Sequence, residues 1–293
     1  MRGALRLRYF ALASATIALL SAQDFSGLKL ELTAKDFQYT QGPAWSAVGS
    51  FLIFSDIPTD RLMKWVPGHE PEVFRTDAHG PSGNAFDSHD RLYTCETRTR
   101  RVTRTVKNGQ VETVAATWEG KKLNAPSGIV IGKSDHVYFT DPAFGSQQDH
   151  RELSFYGVYH IPPKGPMKLA AKWTTRPNGI ALSPNGRTLY VSAPDDHAIR
   201  AYDLDKEGDA SNERVFADKL DGVPAGMHVD EKGNLYVAAN GILVFHPDGK
   251  LAATIPVRER PSNCAFGFPD ATMLFVTAHG NLYRAKVDVK GIF

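Results

Sequence analysis

Two cysteines in 293 residues are too few for a disulfide framework. Each stands inside an apolar strand-like pattern, Leu92-Tyr93-Thr94-Cys95 and Asn263-Cys264-Ala265-Phe266, so buried free thiols are expected. Net charge is almost absent as well: 34 Lys and Arg stand against 32 Asp and Glu, a formal +2. The one basic cluster, Arg98, Arg100, Arg101 and Arg104, has the reach of a single strand face. It lacks the long stripe a phosphate backbone requires, which argues against a nucleic-acid partner. No Gly-x-Ser-x-Gly stretch occurs, so a serine-hydrolase elbow has no support. Nor does an amphipathic helical stretch of useful length interrupt the chain, which excludes βαβ folds.

Long apolar runs are confined to the first two dozen residues. Arg2, Arg6 and Arg8 precede an apolar segment from Tyr9 to Leu20, followed by small Ser21 and Ala22. These are the three parts of a secretory signal peptide, with cleavage expected after Ala22. The apolar segment is short for a membrane span, and no Cys follows that would take a lipid anchor. The expectation is a signal peptide over 1–22 and one domain over 23–293, exported to the periplasm or outside the cell.

What the mature chain does contain is repetition. One strand motif recurs six times: Leu52-Ile53-Phe54-Ser55, Leu92-Tyr93-Thr94, Val137-Tyr138-Phe139-Thr140, Leu189-Tyr190-Val191-Ser192, Leu235-Tyr236-Val237-Ala238 and Leu274-Phe275-Val276-Thr277. The spacing matches the period of a propeller blade. Tight turns such as Ser183-Pro184-Asn185-Gly186 precede the motif, and alternating strands such as Arg61-Leu62-Met63-Lys64-Trp65 follow it. Such units cannot bury both faces alone, and six around an axis can. The fold class is therefore all-β, a six-bladed β-propeller. Residues 27–37 and Val287-Asp288-Val289 are left to supply outer strands that close the ring.

Each unit begins with a comparable turn. Gln41, Asn84, Ser127, Asn178, Ala225 and Asn263 are read as its equivalent first residues, converging on one mouth of the channel, where polar groups in a concavity make a ligand site.

Several stretches carry a family resemblance: Gln41-Gly42-Pro43-Ala44-Trp45, Phe54-Ser55-Asp56-Ile57-Pro58, Leu123-Asn124-Ala125-Pro126, Tyr138-Phe139-Thr140-Asp141-Pro142, Arg176-Pro177-Asn178-Gly179 and Gly226-Met227. The chain resembles the senescence marker protein, gluconolactonase and luciferin-regenerating enzyme family of six-bladed propellers over nearly all its mature length. The resemblance implies a divalent cation, often calcium, polarising a lactone or ester carbonyl, with metal ligands at Gln41 and Asn178. In the family pattern a Glu stands at Gln41, an Asp at Ala225 and an Asn-Asp pair at Ser127-Gly128. Hard dications prefer several oxygens with carboxylate charge among them, so loss of two carboxylates predicts a weakened calcium site.

Other acids stand nearby. The second strands of units one to three end in Asp56, Glu96 and Asp141, whereas those of units four to six end in alanine. Asp141 is the candidate general base, with Asn124 and Asn178 as donors to an oxyanion and Glu96 or His79 as alternative acid-base groups. Capping of the turns before Pro58 and Pro142 is the other reading of Asp56 and Asp141. Lys122 stands where the family carries an arginine and, with Asn84, Ser127 and Asn263, is a candidate substrate contact; as one of a lysine pair it also reads as solvated surface. The long connection from Ala143 to Tyr156 is expected to cover the mouth.

Three functions remain open on sequence: a lactone or ester hydrolase, a metal-independent lyase or hydrolase, and a binding propeller without chemistry. Each implies a small-molecule partner and no membrane span in the mature chain; oligomeric state is left undefined. The signal peptide itself predicts that protein recovered from the exported fraction begins near Gln23 by intact-mass measurement, and a mass retaining Met1 would contradict it.

Overall fold

The structure, a computed structural model, describes Phe25 and residues 27–106 and 108–292. The leader assigned to residues 1–22 lies outside them. Six four-stranded antiparallel sheets form the blades. The first five run consecutively, blade one being Thr40–Ser46, Phe51–Asp56, Arg61–Trp65 and Glu72–Arg75. All six repeated motifs form second strands, as the period requires.

Blade six joins the two ends of the chain. Pro261–Gly267, Met273–Ala278 and Asn281–Lys286 are completed by Glu31–Ala34, which pairs antiparallel with Asn281–Lys286. Only one of the two segments expected to close the ring does so as a strand. Val287 and Val289 instead bury their side chains in the cluster of Tyr236, Phe266 and Val276 between the last two blades.

Packing between faces is aromatic and aliphatic, as in Trp45 stacked on Phe275 at 6.0 Å. Cys95 and Cys264 are buried free thiols.

At the start of each blade the inner strand carries a bulge in which two residues face one. The pairs are Gln41-Gly42, Ser82-Gly83, Ser127-Gly128, Asn178-Gly179, Ala225-Gly226 and Ser262-Asn263, opposite Ser55, Cys95, Thr140, Ser192, Ala238 and Thr277. This corrects two positions. In blade two the first residue is Ser82 rather than Asn84, and in blade six Ser262 rather than Asn263, because the bulge admits an extra residue before the Asn that imitates an Asn-Gly turn.

These bulges make the seams between blades. Thr140 Oγ1 accepts from Gly128 N and donates to Asn178 O of the next blade, at 2.9 and 2.6 Å. Ser192 Oγ does the same between Gly179 N and Ala225 O, at 2.7 and 2.9 Å. Cys95 and Ala238 have no hydroxyl, and in those blades the N–H of Gly83 or Gly226 reaches the next blade directly, bonding Ser127 O at 2.8 Å and Ser262 O at 2.9 Å.

The approach demands a missing Cβ. One added at Gly128 or Gly179 would collide with the carbonyl oxygen of the next blade, whereas one at Gly27 would meet nothing. Gly179→Ala should therefore lose about 1–3 kcal/mol of stability by denaturant unfolding, the usual cost of overpacking, and Gly27→Ala should be neutral. Equal midpoints for the two variants would contradict the seam.

Candidate active site at the ring of leading turns

The ring forms one end of an interior cavity of about 830 Å³, lined by Gln41, Asn84, Asn178, His228, Asn263 and Phe266 among others. From there the cavity runs toward the turns that join first and second strands, where Ser88, Lys133 and Asn185 line it. A cavity of this size holds a small organic molecule.

Hydrogen bonds set the orientation of the ring amides. Asn263 Oδ1 accepts from Cys264 N at 2.8 Å, which leaves Asn263 Nδ2 to donate to Gln41 Oε1 at 2.9 Å. Gly42 N donates to the same Gln41 oxygen at 2.5 Å. Gln41 Nε2 is then a donor without a partner among the described residues. On the opposite side, Ser127 Oγ donates to Asn178 Oδ1 at 3.1 Å and lies 3.3 Å from Ser82 Oγ. Asn178 Nδ2 likewise has no partner among the described residues. Blades one and four face each other across a six-fold ring, so Gln41 and Asn178 line the cavity from opposite sides. Ala225 contributes only a methyl group.

Asn84 lines the cavity but is saturated by seam contacts. Its Nδ2 donates to Gly42 O at 2.8 Å and Ser55 Oγ at 2.9 Å, and its Oδ1 accepts from Thr94 Oγ1 at 2.9 Å.

Calcium does not fit this donor set. No carboxylate stands in the ring, and Gln41 Oε1 and Asn178 Oδ1 already accept hydrogen bonds. Asp87, His89 and Asp135 bring ligand atoms within 4.8 Å of one another, but at the far end of the channel. There Asp87 accepts from His89 N and Arg91, and Asp135 from Ser88, which ties blade two to blade three.

The expected base is elsewhere. Asp141 is fully buried, and its two oxygens accept from Asn124 N and Ala125 N, each at 2.7 Å. Burial pushes this carboxyl up to about 7, against the opposing pull of the two amides. Asn124, also fully buried, donates to Asp141 O at 3.1 Å and Phe155 O at 3.0 Å. Neither reaches the cavity, so the pair is a staple that fixes the turn ahead of Ser127. Asp56 repeats it in blade one, accepting from Gln38 N and Tyr39 N at 3.1 and 2.9 Å.

Glu96 departs from that pattern because the equivalent Gly80 N–H is taken by Asp60 at 2.7 Å. It pairs instead with Arg75 at 3.2 Å and Arg101 at 2.7 Å, with hydrogen bonds from Thr99 and Thr103. This is a structural ion-pair network rather than a free acid. His79 holds a left-handed turn with φ 58° outside the cavity lining. Lys122 is exposed on a two-residue strand, its N–H bonded to Glu152 at 2.9 Å. The connection from Ala143 to Tyr156 is pinned to that segment by Glu152 and to blade four by Arg176 over Phe144 at 5.3 Å.

One cavity residue was missed by reading the turns alone. His228 stands two residues beyond Gly226 on Met227–Val229, and its Nδ1 lies 3.2 Å from Val229 O. A carbonyl only accepts, so Nδ1 carries the proton and Nε2 the lone pair. Desolvation holds the ring neutral, with its pKa lowered to about 4.

The geometry has counterparts among known proteins. The chain is 32% identical to the gluconolactonase of Zymomonas mobilis over 89% of this chain and 82% of that protein. A solved gluconolactonase from Xanthomonas campestris is similar at a TM-score of 0.85 and 31% identity, covering 92% of each chain. The fold is shared with a calcium-binding protein, regucalcin, from Agrobacterium tumefaciens, at a TM-score of 0.75 and 20% identity over 88% of this chain and 92% of that one. The sequence profile of the SMP-30/Gluconolactonase/LRE-like region matches residues 39–280, all six inner strands included. By fold, by repeated leading turns and by this match, the chain belongs to the SMP-30/gluconolactonase/luciferin-regenerating enzyme family.

Proposed function

We propose that the protein is an exported hydrolase of lactones or related carboxylic esters that binds the carbonyl through amide groups rather than through a carboxylate-held dication. The observation that carries this reading is the pair of amide donors, Gln41 Nε2 and Asn178 Nδ2, without a partner among the described residues, on opposing blades at the end of a cavity. Kinship to two gluconolactonases at about a third identity supports the reaction class.

The chemistry follows from where charge develops. Attack of water on a lactone carbonyl places negative charge on the carbonyl oxygen, and preorganised donors in a site shielded from bulk water stabilise it without reorganising. Gln41 and Asn178 supply two such donors. Gln41 is held by Asn263 and Gly42, and Asn178 by Ser127, so neither turns to meet the charge. The apolar wall from Phe266 and Met227 suits the carbon skeleton of a small sugar-like or aromatic lactone.

A panel of lactones and esters, assayed with and without chelator, tests the reading. Turnover of at least one lactone, unchanged by chelation, is expected. Asn178→Ala should lower kcat about 10²–10³-fold, the usual loss for one oxyanion donor. Turnover abolished by chelator and restored by calcium would overturn the metal-free site. Tight binding without turnover would overturn the enzyme.

A further inference from the structure

Resting on that reading, we infer that His228 is the general base of the site, taking the proton from the water that attacks the substrate carbonyl. The placement is geometric. His228 lines the same cavity as Gln41 and Asn178. It follows two residues after Gly226, whose missing Cβ leaves room for the Asn263 amide, and that amide donates to Gln41 Oε1 at 2.9 Å. The imidazole is thus built onto the chain of contacts that orients one of the carbonyl donors.

The tautomer is set by the backbone. Nδ1–H donates to Val229 O at 3.2 Å, and the edge of the ring packs on Phe266 with centroids 5.6 Å apart. Nε2 has no partner among the described residues and is not sealed from the cavity. A neutral histidine with one nitrogen anchored and the other open is the arrangement a general base requires.

Competing groups are otherwise engaged. Of the other carboxylates and imidazoles lining the cavity, Asp87 is held by Arg91, Asp90 accepts from Ser46 Oγ, Asp205 accepts from Glu207 N and Asp209 N, and His136 Nδ1 lies 2.7 Å from His160 Nε2 at the far end. Among the described residues, the neighbours of His228 bring no free charge. Tyr236 faces it on the adjacent strand, the Cys264 thiol is pushed up to about 12 by burial, and Ile180–Leu182 of blade four holds no titratable side chain. Asp230, also raised by burial, is bonded to Asn234 and Tyr236.

The step balances without another reactant. A bond forms between the water oxygen and the carbonyl carbon as a proton passes to Nε2, and charge collects on the oxygen facing Gln41 and Asn178. Collapse breaks the bond to the ring oxygen. That oxygen takes the proton from the imidazolium, which leaves a hydroxy acid and neutral His228.

The test is His228→Gln beside Asn178→Ala, each assayed on the best lactone over pH 3.5 to 8. His228→Gln should lower kcat about 10²–10⁴-fold with KM little changed, the range for a lost general base. Because burial lowers the pKa of His228, the active neutral form is lost only as pH falls through about 4. Wild-type kcat should drop below that pH, the variant should lose this limb, and His228→Gly should recover rate with added imidazole. Near-wild-type kcat in folded His228→Gln, with Asn178→Ala impaired, would overturn the base and leave the carbonyl site standing. A wild-type profile flat through pH 4 would also overturn it, whether or not the variants fold. Absence of lactone turnover in the wild type would overturn both.

Discussion

Everything at the centre of this propeller depends on how closely one blade's backbone can lie against the next. The approach is set by residues without a Cβ at Gly42, Gly83, Gly128, Gly179 and Gly226, where an added methyl would collide with the following blade. Each bulge then has one backbone N–H left over, and buried N–H groups are not left unpaired. The Thr140 and Ser192 hydroxyls accept a hydrogen bond from that N–H and donate one to the next blade's carbonyl, whereas the blades holding Cys95 and Ala238 dispense with the relay and bond directly. In blades two to five these two chemistries bridge to the next blade, whereas in blade one Gly42 N turns to Gln41 Oε1 of its own blade.

That close approach decides what the site can be. Side chains at the bulge have little freedom, and their polar atoms meet those of neighbouring blades before they meet a ligand. Gln41 and Asn178 each commit an oxygen to the ring and leave a nitrogen over. A ring with carboxylates at these points would present oxygen to a cation; this one presents N–H to an oxygen.

The repeat, the blade count and most strands were legible in the sequence, because a period-two pattern recurring at blade spacing has few other solutions. Register was less so. Asn84 and Asn263 stand where an Asn-Gly turn would put them, yet the better guide is proline: Pro81, Pro126, Pro177, Pro224 and Pro261 each immediately precede the first residue of a bulge. Proline suits that place because it begins an inner strand, where its missing N–H costs no ladder bond. Asp141 was chemically plausible from sequence, but whether a carboxylate at a strand end faces a cavity or its own turn depends on which backbone N–H groups lie within reach. Asn124 N and Ala125 N lie within reach; for Glu96 the matching N–H belongs to Asp60, and arginines take its place. His228 stayed hidden because a lone histidine in an apolar strand reads as core until the channel is seen to pass it.

On the proposed reading, amide N–H groups, and not a cation, meet the substrate carbonyl. A crystal structure with a non-hydrolysable lactam analogue, grown with calcium present and measured for its anomalous scattering, tests this most directly. The lactam carbonyl oxygen is expected within hydrogen-bond distance, about 2.7–3.2 Å, of Gln41 Nε2 and Asn178 Nδ2, with no metal peak between them. A calcium ion on the ring axis, bridging Gln41 and Asn178 to the carbonyl, would contradict it.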